Sequence, residues 1–137
     1  MTSVSLYTIL EKCSALKTKA ERVEALKFNG NEAIKAIVQY MFHDGVKFLI
    51  PEGTPPYTPS NFENSNRLAG DIRKLNYFVE GGLEAKQIVR ERVFIELLES
   101  VDPKDAILLL HLKDKKSPFT GLTKDVAIAA FPELFPT

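Results

Sequence analysis

Apolar side chains recur along this chain at intervals of three and four, the spacing that lines one face of an α-helix, with polar residues between them. Over 3–16 the stripe is Leu6, Ile9, Leu10, Cys13 and Leu16. Thr18 followed by Glu21 has the form of a capping box, in which each side chain satisfies the other residue's free N–H. A second helix therefore starts at Thr18 and carries Val23 and Leu26 inward. Asn29-Gly30 offers a left-handed cap to end it, and Asn31 opens a third helix with the stripe Ile34, Ile37, Val38, Met41 and Phe42. Asp44-Gly45 stops that helix, and 46–50 is too short to assign to helix or strand.

Residues 51–65 hold Pro51, Gly53, Pro55, Pro56 and Pro59, and proline both lacks a backbone donor and disfavours helix in the residue before it. This is the long loop. Periodicity returns with Leu68, Ile72, Leu75 and Val79, and Gly81-Gly82 closes the element. A fifth helix is expected over 83–101, its apolar residues Val89, Val93, Phe94, Leu97, Leu98 and Val101 spread so widely that it reads as central and mostly buried. Asp102-Pro103 supplies an N-cap with proline at the first helical position, and Asp105 favours the positive end of the helix dipole. The sixth helix that follows carries the apolar run 106–112. Residues 113–122 are a loop; Thr123 caps a last helix bearing Val126, Ala127, Ala130 and Phe131, which Pro132 ends, and Leu134 and Phe135 fold back onto the core.

The expected fold is therefore all-α: one domain, 1–137, of about seven short helices, with three in 1–43, a Pro-rich loop over 51–65 and the rest in 66–137. A content of 45% hydrophobic and 26% charged residues agrees with a packed core. The 18 basic and 18 acidic residues cancel, so any binding of nucleic acid or an anionic surface requires a local patch. With no leader pattern, no long apolar run and one cysteine, the expectation is a cytoplasmic protein without membrane segments.

One Cys and two His are too few for the usual metal or thiol chemistry, so neither a metal site nor a cofactor is expected. Cys13 sits on the stripe of the first helix as a core residue. His43 closes the third helix, where a charged imidazole favours the dipole, and His111 reads as a packing or capping residue. No phosphate loop, dinucleotide fingerprint, zincin or nucleophile-elbow pattern occurs. Glu91, Glu96 and Glu99 lie beside Arg90 and Arg92, which predicts exposed ion pairs rather than an acid/base site. No catalytic residue is assigned.

Two polar clusters remain. Lys113, Lys115, Lys116 and Lys124 flank Phe119 and the capped start of the last helix, a set that can hold nucleic-acid phosphate and stack a base. The alternative is a solvated loop with Phe119 tucked into the core. The Pro-rich loop, with Pro55, Pro56 and Tyr57, either presents its tyrosine to a protein partner or lays it across its own helices.

Four segments taken together, Leu6-Tyr7-x-Ile9-Leu10-Glu11-Lys12, 46–57, 73–82 and 94–99, with the tail Lys113-Asp114-Lys115-Lys116 and Ala130-Phe131-Pro132, resemble a small uncharacterised protein family of T4-like phages of marine cyanobacteria and related marine phages. The resemblance implies a phage gene product acting in an infected bacterium and assigns no functional residue. The leading expectation is a protein-interaction or regulatory module, and the second a nucleic-acid-binding accessory protein of phage replication or transcription.

Overall fold

The computed structural model describes residues 5–61 and 67–135. They form seven α-helices and two short 3-10 helices and no strand: α1 Leu6–Ser14, α2 Lys19–Phe28, α3 Glu32–Phe42, α4 Arg67–Gly70, a 3-10 helix Ile72–Tyr77, α5 Gln87–Ser100, α6 Pro103–Lys113, α7 Lys124–Ala130 and a 3-10 turn Pro132–Leu134. The fold is all-α.

Four of the expected N-caps are in place. Thr18, Asn31, Asp102 and Thr123 each accept a hydrogen bond from a backbone N–H two or three residues on, which satisfies one of the donors that a helix start leaves unpaired. The box at Thr18 is half reciprocal: its hydroxyl accepts from Glu21 N–H and donates to the Glu21 carboxylate, 2.9 Å away. Asn29 ends α2 at φ −92°, so the expected left-handed cap does not form. Gly30 has a different reason to be glycine, because a Cβ there would lie 2.7 Å from the Phe131 ring.

The fourth expected helix is two elements. Asp71, held by Arg67 and Lys74, interrupts it, and the backbone tightens to 3-10 geometry. A repeat of three then buries Ile72, Leu75 and Phe78 on one side. Residues 46–50 make one antiparallel bridge, Phe48 to Val79, closed by Leu49 N–H to Phe78 O and Glu80 N–H to Lys47 O. Gly81, at φ 82°, turns the chain away from it. Leu83 N–H then bonds Asn76 O, so α5 begins at Gln87 rather than at 83.

The central helix is α6, which packs against α1, α3 and α5, and not α5 as the apolar spread suggested. On α5 Phe94, Leu97 and Leu98 are buried, but Ile88 is 77% exposed. The apolar side chains of all these elements join in one core, onto which Leu134 and Phe135 fold. No helix of the described residues is long and apolar enough to cross a membrane.

Candidate functional site

The structure divides the lysine cluster: Lys115 and Lys124 line one open depression with Lys47 and Asp44, whereas Lys113 and Phe119 turn into the protein. Lys113 is buried, and its ammonium donates to Pro51 O at 2.9 Å and to the Asp114 carboxylate at 2.7 Å. Phe119 is buried too, edge-on to Tyr7 with ring centres 5.0 Å apart. Neither can meet a nucleic acid. Lys124 is paired with Asp44, whose carboxyl this contact holds below its usual pKa. Lys116 alone of the set is exposed without such a partner among the described residues.

Lys115 has a structural reason to be where it is. Its N–H bonds Leu112 O while Lys116 N–H bonds His111 O, the two bonds of a Schellman motif, and this puts Lys115 at φ 54°. From there its side chain reaches His43 O and Val46 O. The cation at the end of α3 is thus Lys115, whose own pKa burial depresses. His43 makes other contacts: its Nδ1 accepts from Gly45 N–H at 2.9 Å, and its ring stacks on Phe135. Cys13 is buried, with Asn29 Nδ2 3.8 Å from its sulfur, and burial raises the thiol's pKa, which makes it unreactive.

The Pro-rich loop, described up to Asn61, is strapped down. Beside the Lys113 contact, Thr58 N–H donates to Glu99 Oε2 at 2.7 Å, and Gln87 Nε2 donates to Leu49 O at 2.8 Å. Tyr57 is half-buried and packs on the core, so it anchors the loop; of the three loop candidates Pro56 is exposed and Pro55 half-buried. Of the two alternatives for Tyr57, presentation to a partner and lying across its own helices, the second is the one found. The part of the loop at 62–65 lies outside the described residues.

Sequence reasoning missed the feature this strapping creates. Between the loop and α5 lies a cleft of about 120 Å³, with Ile50, Pro51, Pro55, Phe94 and Ile95 as apolar walls. Glu52 and Glu91 also line it. Arg90, expected in exposed pairs, instead fixes the start of α5: it is buried and donates from Nε to Tyr77 O, from Nη1 to Gln87 Oε1 and from Nη2 to Ala85 O. Arg92 and Glu96 do form an exposed i,i+4 pair, at 3.8 Å. A proline-rich segment against a charged helix was legible only as two separate elements.

Comparison with curated proteins and with solved structures returned no match. Residues 9–117 match the model of one protein family, described as a family of unknown function, DUF6433. That match spans most of the chain, and the chain belongs to this family.

Proposed function

We propose that the chain is a non-catalytic protein-interaction module and that the cleft between the Pro-rich loop and α5 takes a side chain of its partner. The observation that carries this reading is a cleft already formed by a tethered, proline-stiffened segment, so that docking requires little ordering of the loop. Its apolar walls suit one aliphatic or aromatic side chain. Glu52 and Glu91 add the electrostatic preference: the partner segment carries Lys or Arg beside that apolar residue.

The phage-like sequence pattern supports a setting for this role, the cytoplasm of an infected bacterium, with a phage or host protein as the regulated partner. The nucleic-acid reading draws on fewer groups, since Lys113 and Phe119 are inside the protein and Lys115 and Lys124 already have partners.

Affinity capture from infected cells, with and without nuclease, tests the proposal when wild type is compared with the charge-reversed Glu52→Lys/Glu91→Lys protein. The expected result is a partner that survives nuclease and is lost from the reversed variant, with both proteins melting at similar temperatures. Loss of every partner on nuclease treatment, or equal capture by both proteins, overturns it.

A further inference from the structure

A second concavity lies at the meeting of α1, α2 and the loop before α7, on residues that the proposed interaction does not use. Tyr7, Glu11 and Ser14 stand four and three residues apart on α1 and therefore share one face. With Arg22, Thr120 and Gly121 they line an open depression of about 420 Å³.

Its cation is held in position by the fold. Arg22 Nε donates to Leu16 O at 2.7 Å. Gly121 N–H donates to Ser14 Oγ at 3.0 Å, and a Cβ on Gly121 would come within 2.2 Å of Ser14 O and 2.9 Å of Arg22 Nε. Glycine at 121 is thus what allows the guanidinium to lie against the loop. Arg22 is half-buried, yet its two terminal amino groups have no hydrogen-bond partner and no carboxylate partner among the described residues. A guanidinium fixed at Nε and open at its fork is the arrangement that receives a carboxylate through two parallel hydrogen bonds.

Glu11 supplies the second half of the argument. It lines the same depression, is exposed, and is not ion-paired to Arg22 or to any other described residue. A dianion such as phosphate would meet this carboxylate with repulsion. A ligand with a carboxylate at one end and an ammonium at the other satisfies both groups, and Tyr7 and Thr120 line the same depression with hydroxyl groups.

We propose that this depression binds a small zwitterion of the amino-acid type, its carboxylate on Arg22 and its ammonium on Glu11. The test is a titration of the ¹⁵N-labelled full chain, observed at the Gly121 and Thr120 amides and at Arg22 Nε, with glycine, β-alanine, γ-aminobutyrate, acetate and inorganic phosphate as separate probes. One of the three amino acids is expected to give saturable shifts at these sites and to bind at least about tenfold more tightly than acetate, a difference of about 1.4 kcal/mol. Glu11→Gln should reduce its affinity to the acetate level while leaving acetate unchanged, and Arg22→Lys should abolish both. The proposal is overturned if no amino acid gives a saturable shift there, if phosphate binds most tightly, or if Glu11→Gln has no effect. Because Glu11 is exposed, that variant decides the matter even if Arg22→Lys fails to fold.

Discussion

The first three helices and the stretch between α3 and α5 satisfy their backbone polar groups in opposite ways. In α2 and α3 the helix starts are capped by the residue just before them, Thr18 for one and Asn31 for the other. Between α3 and α5 the described residues form only α4, a 3-10 helix and one bridge, and carbonyls before α4 are taken up by side chains from far along the chain: Lys115 to Val46 across 69 residues, Lys113 to Pro51 across 62, Gln87 to Leu49 across 38. One region is held by local chemistry and the other by the helices that follow it. The second depends on α5 and α6 having packed, so its contacts should be the last to form and their loss the most localised.

The sharpest way to break this comparison is at Arg90. Arg90→Met keeps much of the apolar stem and leaves Tyr77 O and Ala85 O without their buried donor. At about 1–3 kcal/mol for each orphaned group, the expected loss is about 4 kcal/mol in urea unfolding at constant slope. Hydrogen exchange should show residues 76–86 opening well before α3. A loss under about 1 kcal/mol would mean that the middle region does not rely on this donor from α5.

Asp105 is the exception that sharpens the contrast, since here a local helix start is closed from afar. It lies on α6, is 0% exposed, and accepts Tyr7 N–H of α1 at 2.9 Å through Oδ1, while Oδ2 has no partner. Burial first, and the neighbouring Asp102 after it, push its pKa up to about 6, against 3.8 unperturbed. A carboxyl whose pKa is raised in the folded state stabilises most when protonated in both states, below 3.8, and that stability is lost as pH rises through about 6. The full swing is about 3 kcal/mol. Asp105→Asn removes the titration, so its stability relative to wild type should rise by that order between acid and neutral pH. Parallel pH profiles for the two proteins would show that Asp105 does not titrate in this range.

The same distinction decides what could be read from the sequence. The caps were legible because an N-cap and the N–H it accepts lie within three residues, and the stripes because their period is set by the helix itself. The division of the fourth helix was not: Leu68, Ile72, Leu75 and Val79 fit a helical period, and only the packed structure shows a repeat of three burying Ile72, Leu75 and Phe78. Lysines 113 and 115 looked like a surface patch because nothing near them in sequence reveals that their partners are carbonyls of 43–51. The cleft beside α5 went unseen for the same reason, being formed by two segments separated by about forty residues and joined by bonds such as Thr58 to Glu99.

A smaller effect is expected where the chemistry is purely local. Asp102 Oδ1 accepts Lys104 N–H at 2.9 Å at the start of α6. Asp102→Ala should therefore lower stability by about 1 kcal/mol, the usual cost of losing a cap. Unchanged denaturation midpoints and slopes would remove Asp102 from the list of caps that matter. Because Asp102 also raises the pKa of Asp105, the measurement belongs in the Asp105→Asn background, where position 105 does not titrate.

The smallest effect lies at Lys115, where local and long-range terms meet in one residue. Its backbone, at φ 54°, is the left-handed position of the Schellman motif, which any residue with a Cβ occupies at a cost of about 1 kcal/mol and glycine occupies freely. Its side chain bonds two carbonyls at the end of α3, which work against that cost. Lys115→Ala keeps the strain and loses the bonds, whereas Lys115→Gly loses both. The glycine variant should thus be the more stable of the two by about 1 kcal/mol, and close to wild type. If alanine and glycine prove equal in thermal unfolding, the left-handed backbone carries no strain, and the side-chain bonds alone account for lysine at this position.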